Sequence, residues 1–196
     1  MAANEPDNQR QPKKVFLFSG HMIDGPTRPK PRFPAAKEPV AAQKIAEALD
    51  QLGAGPEDLA LTQGACGGDL LFTEACQQRG VQVQWQQPFD ESDFIQKSVV
   101  CHSETWRARY LAAKAKITTV VRSAPRELGP LPPGSDPYER CNIWLFETAL
   151  SYGPDKVQFI CLWDGGGGDG PGGTAHMYQE VKRRTGQVTW IDTRTL

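Results

Sequence analysis

Val157-Gln-Phe-Ile-Cys-Leu-Trp163 runs into Asp164-Gly-Gly-Gly-Gly-Asp-Gly-Pro-Gly-Gly-Thr174, and Ala175-His-Met-Tyr-Gln-Glu-Val-Lys-Arg-Arg184 follows. The first segment is short and mostly apolar, the pattern of a buried strand, and the last reads as a helix. Between them, seven of the nine residues from Gly165 to Gly173 are glycine, a density that no strand or helix interior tolerates. Glycine loses more conformational freedom on ordering than any other residue and opens φ > 0. A chain accepts that cost where bare backbone must come close to something. Strand, glycine loop, helix is the arrangement in which backbone N–H groups and a helix N-terminus face an anion together. The plainer alternative is a solvated surface loop.

Working outward, the same grammar recurs. Lys13-Lys-Val-Phe-Leu-Phe-Ser-Gly20 reads as a first strand buried on both faces. It feeds His21-Met-Ile-Asp-Gly-Pro and then a segment studded with Pro26, Pro29, Pro31 and Pro34, where prolines forbid helix and sheet alike. Arg28, Lys30 and Arg32 lie in that segment, either as solvated charge or as an anion clamp on a lid over residues 26–34. Apolar residues at helical spacing from Glu38 to Leu52 predict a helix ended by Gly53 and Gly55. Asp58–Thr62 is a second strand, followed by the turn Gln63-Gly-Ala-Cys-Gly-Gly-Asp69 and a helix over Leu70–Arg79.

Val81–Trp85 alternates apolar and polar, which predicts a third strand with one half-exposed face. Ser92 or Asp93 is placed to cap a short helix reaching Val100, and Glu104–Ala115 reads as an amphipathic helix. Ile117–Val121 is β-branched and reads as a fourth strand. A proline-rich loop, a helix over Tyr138–Tyr152, the fifth strand Val157–Trp163 and a sixth strand Gln187–Asp192 complete the pattern.

Strands alternating with helices predict an α/β fold, a single Rossmann-like three-layer domain with a mainly parallel sheet of about six strands. It would span residues 13–196 behind a disordered polar leader at 1–12. Such sheets bind ligands outside the carboxyl ends of their strands, near the point where the strand order reverses. The loops Ser19–Asp24, Gln63–Asp69, Pro88–Asp93 and Asp164–His176 all leave those ends.

Composition narrows the partners. The 196 residues carry 22 Lys and Arg against 23 Asp and Glu, interspersed, so neither a nucleic-acid nor a membrane surface is indicated. No apolar run approaches the ~20 residues of a membrane span. Five cysteines, odd in number and without a Cys-x-x-Cys pair, read as reduced thiols of a cytoplasmic protein rather than a zinc site. Cys66 has no histidine beside it in sequence and is a poor candidate nucleophile.

Gly64, Ala65, Gly67 and Gly68 leave a strand and open a helix, with Asp69 at the helix start. Their spacing is not Gly-x-Gly-x-x-Gly, and no Gly-x-x-x-x-Gly-Lys-Ser/Thr occurs, which disfavours ordinary dinucleotide and P-loop sites. Asp69 serves either as a helix cap or as an acceptor for a ribose hydroxyl. Gln63-Gly-Ala-Cys-Gly-Gly-Asp69 resembles the Gly-Gly-Ala-x-Gly-x-Asp-type turn of the SLOG superfamily, which includes the LOG phosphoribohydrolases and nucleotide-sensing domains. Pro171-Gly-Gly-Thr174 is similar to the Pro-Gly-Gly-x-Gly-Thr loop of the LOG enzymes, in the same order along the chain. The resemblance implies a Rossmann-like nucleotide or nucleoside-phosphate site built from Gly64, Ala65, Gly67, Gly68, Asp69, Gly170, Gly172, Gly173 and Thr174. In the LOG enzymes an acidic pair closely follows the threonine; here Ala175, His176 and Met177 follow it, and the nearest carboxylate is Glu180.

The candidate catalytic residues are therefore His176, Asp69 and Glu180, with Asp24 a further carboxylate for base departure. Ser19, Gly20, His21, Asp24 and Arg32 join the ligand-binding set from the first strand's end, and Asp164 from the fifth's. Asp164 and Asp169 bracket the glycines and are the place for magnesium; no other cofactor is indicated. Arg107 and Arg109 read as helix packing and solvated charge, with reach to a phosphate as the alternative. Three functions stay open: a sensor or signalling domain that binds a nucleotide-like small molecule, a phosphoribohydrolase or nucleoside N-glycosidase, and an interaction domain with empty loops. Two-fold pairing of the chain through a helix face is the default association.

Overall fold

The computed structural model describes residues 11–167 and 173–196. Most of the expected leader, and the central glycines of the last loop, lie outside them.

The described chain runs β1 (Val15–Gly20), α1 (Glu38–Gln51), β2 (Leu59–Thr62), α2 (Gly68–Gln78), β3 (Gln82–Gln87), then α3 (Glu91–Phe94), which continues as a π-helical turn over Ile95–Val99. It goes on through α4 (Thr105–Lys114), β4 (Arg122–Ser123), α5 (Ala124–Leu128), α6 (Pro137–Leu150), β5 (Val157–Trp163), α7 (Thr174–Arg184) and β6 (Val188–Asp192). All the strand pairs are parallel, in the order β4-β3-β2-β1-β5-β6. The Rossmann-like α/β architecture read from the alternating pattern is the one observed.

Side chains alternate across a strand, so a strand buried on both faces must be apolar at every position. Val15-Phe-Leu-Phe18 meets that demand. Phe16 and Phe18 join Ala60, Trp85, Ile160 and Leu162 in a core covered by α1, α2 and α4. Val15 and Leu17 join Leu61, Phe159 and Cys161 in a second core, covered by α6 and α7. The helices thus fall into two outer layers because the strands have two apolar faces to hide.

Two expectations are corrected. Ile117–Val121 is not a strand: the fourth strand is only Arg122–Ser123, paired with Gln86 and Gln87, and Val120 is 83% exposed. Only Ile117 and Val121 of the β-branched run pack against the core, partly buried, and β propensity expresses itself mainly through packing on a sheet surface. Thr119 Oγ1 instead donates to the Val83 carbonyl at 3.3 Å, a side chain standing in for the ladder. The short helix after β3 begins behind Asp90, not at Ser92 or Asp93.

From β1 the chain steps outward through β2, β3 and β4, then returns through α6 to place β5 on the other side of β1. The strand order reverses between β1 and β5. Among the described residues no helix is long and apolar enough to cross a membrane.

Candidate functional site

The carboxyl ends of β1 and β5 are sewn to the start of α7. The His21 amide donates to the Leu162 carbonyl at 2.9 Å, continuing the β1/β5 ladder by one step. Ser19 Oγ lies 3.1 Å from Thr174 Oγ1, and His21 Nε2 lies 3.1 Å from Asp164 Oδ1. The glycine loop after β5 is fixed at its entry: the Gly166 amide donates to Asp164 Oδ1 at 3.0 Å, and Trp163 Nε1 donates to the Gly166 carbonyl at 2.9 Å. At its exit Gly173 is the residue before α7, and its backbone is extended. Ser19, Gly20, His21, Asp164, Gly173 and Thr174 therefore converge on the reversal point. Gly170 and Gly172, and Asp169 of the magnesium expectation, lie outside the described residues. So does Pro171.

His21 is buried, and burial pushes its imidazole pKa below the ordinary value, against the hydrogen bond to Asp164 and with help from the Arg32 charge. Its Nε2 is also 3.2 Å from the Asp164 backbone nitrogen. A neutral imidazole has one donor and one acceptor nitrogen. With the proton on Nε2 it donates to the Asp164 carboxylate; with the proton on Nδ1 its Nε2 accepts from the Asp164 amide. Desolvation pushes the Asp164 carboxyl up, but hydrogen bonds from the Gly166 amide and His21, with the charges of His21 and Arg32, outweigh it and hold the pKa below the usual value.

Arg32 thus comes close enough to bias both members of this pair, from the far end of the proline-studded loop. Asp24 explains how. Its Oδ2 accepts the amides of Arg32 and Phe33, each at 2.7 Å, and Arg28 Nε lies 3.4 Å from its Oδ1. The Asp24 amide donates to the Phe33 carbonyl at 2.9 Å, and the Phe33 side chain is fully buried. Asp24 is the clasp that closes the loop, and its carboxylate is engaged in that work rather than facing a ligand.

The turn after β2 is arranged differently. The Ala65 amide donates to Asp69 Oδ2 at 3.3 Å, the Cys66 amide to the Ser98 carbonyl at 2.9 Å, and the Gly68 amide to the His21 carbonyl at 3.0 Å. Gly67 has φ +85°, and a Cβ there would stand 2.6 Å from the Ile23 nitrogen. Gly64, φ +87°, would put one 2.8 Å from the Trp85 ring. These two glycines serve the close approach of the protein to itself. Asp69 is neither the residue capping α2 nor free for a ribose: its carboxyl is turned back under its own loop. Burial raises its pKa to about 7, opposed by hydrogen bonds that include the amides of Ala65, Gly64 and Gln63.

His176 is exposed in the first turn of α7. Glu180, one turn further, is paired with Arg183 at 2.7 Å. Neither is linked to the His21–Asp164 pair by a described contact. Arg109 pairs with Glu74 of α2 and Glu38 of α1 and lies over the Trp106 ring, and Arg107 pairs with Glu104. Packing and surface charge account for both arginines.

Sequence reasoning passed over a polar cluster at the ends of β2 and β3. Gln63 Nε2 donates to Asn142 Oδ1 at 2.7 Å, and Gln87 Nε2 to the Tyr110 hydroxyl at 3.0 Å. The half-exposed face expected of Val81–Trp85 is present at Gln82 and Gln84, but the strand runs two residues further, and its added Gln86 and Gln87 are fully buried. Consecutive glutamines at the end of a strand whose neighbours are core residues were the available signal. Among the described residues no group of three or more His, Cys, Asp or Glu is placed to hold a metal ion.

No protein-family model matches the sequence, and no curated protein matches it. Among solved structures the chain is similar to the Moco carrier protein from Chlamydomonas reinhardtii, with 12% identity over 93% of this chain and 91% of that one and a TM-score of 0.36.

Proposed function

We propose that the chain binds a nucleotide or nucleoside-phosphate-derived ligand, in the manner of a SLOG-type recognition domain, in the crevice between β1 and β5. The observation that carries this reading is the joining of two carboxyl-end loops at the start of α7, through Ser19–Thr174 and His21–Asp164, where the strand order reverses. A phosphate belongs at the α7 N-terminus, where first-turn amides and the helix dipole favour negative charge. The hydrogen-bonded Ser19–Thr174 pair leaves one hydroxyl proton to offer there, and Arg32 adds positive charge beside His21 and Asp164. His21, held neutral by burial, is suited to hydrogen-bond a sugar or base rather than to compete for the phosphate.

Binding is favoured over cleavage because the candidate carboxylates are occupied. Asp69 faces its own turn, Asp24 closes a loop and Glu180 pairs with Arg183. A base-releasing hydrolase needs a carboxylate free to meet the leaving group.

Thermal melting against a panel of nucleoside monophosphates and dinucleotides tests the proposal. A ligand at ~100 times its dissociation constant adds roughly 2.7 kcal/mol. A rise in Tm with at least one of them, without release of free base on chromatography, is the expected result. Gly173→Val should remove that rise, since Gly173 has φ −74° and ψ 169°, a conformation valine adopts freely, so the fold survives while the side chain fills the anion's place. No rise with any nucleotide overturns the reading.

A further inference from the structure

The two edges of the sheet are finished differently. At one, β4 is two residues long and runs straight into α5, with Pro125 in its first turn, while the Thr119 hydroxyl takes the Val83 carbonyl of β3. Short edge strands and prolines are means by which proteins keep a sheet from growing. At the other, β6 is five residues long, Val188-Thr-Trp-Ile-Asp192, and holds no lysine, arginine, proline or glycine. That edge has no such protection.

The ladder fixes which groups it presents. The Phe159 amide donates to the Gln187 carbonyl at 3.0 Å, and Phe159 is in register with Val188. Backbone groups alternate between the two sides of a strand, so Thr189 and Ile191 face β5, and the N–H and C=O of Val188, Trp190 and Asp192 face outward. Among the described residues no backbone group pairs with them. The Asp192 carbonyl accepts the Thr195 hydroxyl at 2.9 Å and keeps a second lone pair. Trp190 stands in the middle of this row. Its ring packs on Trp163 and Tyr178, yet it is 42% exposed, the one exposed aromatic side chain among the described residues.

We infer that β6 is the seam of a homodimer, in which two copies pair antiparallel about a two-fold axis at Trp190 and double the six-stranded sheet. Such a pairing is isologous: Trp190 meets its own counterpart, and Val188 meets Asp192 once on each side of the axis. Each position offers an N–H and a C=O and finds its complement, a ladder of roughly six hydrogen bonds. Charge selects a second copy as the occupant. α7 ends in Lys182, Arg183 and Arg184 and leads into the Val188 end of β6, while Asp192 lies at the other end. Antiparallel pairing brings the acidic end of each strand to the basic end of its partner; parallel pairing would set like ends together and would not close. Both Trp190 rings fall on the same side of the joined sheet and cover each other across the axis. The two crevices between β1 and β5 then open at opposite ends of the dimer, and the seam stands whether or not either holds a nucleotide.

Sedimentation equilibrium of the full chain and amide exchange followed by NMR test the seam together. The expected mass is twice the 21.6 kDa of one chain, falling toward one chain on dilution. In the dimer the Trp190 amide should exchange slowly and be released by dilution, while the Thr189 and Ile191 amides, which face β5, stay protected throughout. Asp192→Pro removes an outward N–H at a residue whose φ of −80° suits proline, and should weaken association roughly tenfold or more. Trp190→Lys sets two ammonium groups opposite each other at the axis and should leave a monomer whose circular dichroism matches that of wild type. A single-chain mass at the NMR concentration, a fast-exchanging Trp190 amide within a dimer, or a dimer that survives both substitutions overturns the inference. The wild-type mass and exchange pattern decide it even where a variant fails to fold.

Discussion

The two glycine turns of this chain look alike in sequence and differ in what they do with their backbone. In the turn after β2, the amides of Ala65, Cys66 and Gly68 are all given to acceptors within the protein, and Gly64 and Gly67 are glycines because Trp85 and the Ile23 backbone leave no room for a Cβ. In the loop after β5, Gly165 and Gly166 are held by Trp190, Trp163 and Asp164, but a Cβ at Gly167 would meet nothing within 4 Å. One turn is glycine-rich because the fold presses on it. The other keeps glycine at Gly167, where the described neighbours leave room for a side chain.

Substitutions can break that contrast. Gly67→Ala faces both a left-handed φ and a backbone clash, and should cost about 2–5 kcal/mol in urea unfolding, the sum of the conformational and overpacking penalties. A loss under about 1 kcal/mol would mean that the turn yields easily and is not shaped by its neighbours.

Asp69 sharpens the comparison through pH. A carboxyl whose pKa is raised in the folded state favours folding below its unfolded pKa, and that contribution is lost as pH rises through the folded one. The window runs from about 4 to about 7. Asp69→Asn should therefore gain on wild type as pH rises across it, by on the order of 4 kcal/mol. A pH-independent difference between the two proteins would show that Asp69 is not buried under its turn as described.

Asp164 is the counterpart in the second loop and has the opposite sign. Its depressed pKa contributes stability that is present above the unfolded value and lost as pH falls through the folded one. Asp164→Asn should remove that acid-side dependence and cost about 1 kcal/mol at neutral pH, the difference between a charge-assisted and a neutral hydrogen bond. The smallest effect belongs to Gly167→Ala, expected within about 0.5 kcal/mol of wild type. If Gly167→Ala destabilises as Gly67→Ala does, the two turns are equivalent and the contrast fails.

Much of the frame was legible from residue order. Val15–Phe18 and Val157–Trp163 announce buried strands by composition and length, and the spacing of Ile45, Ala48, Leu49 and Leu52 announces a helix. These are local signals, readable because a side chain's direction follows from a period of two or of 3.6. Ile117–Val121 misled for the complementary reason: β-branched residues prefer strands only where a packed sheet surface receives them, and the edge beyond β3 offers little.

The site was legible as a set of loops and not as a set of contacts. Ser19, His21, Asp164 and Thr174 could be picked out because each follows the carboxyl end of a strand or opens a helix. That Asp24 would close a loop, that Asp69 would turn inward, and that Arg32 would reach His21 and Asp164 depended on partners supplied by other segments. What the chain's order determined alone is the alternation of buried strands and amphipathic helices, and the positions where bare backbone leaves a strand. Tertiary structure alone decided which of those turns is closed by its neighbours and which carboxylates are engaged. Periodicity acts within a few residues, whereas these outcomes hang on which distant backbone atoms the sheet order brings alongside.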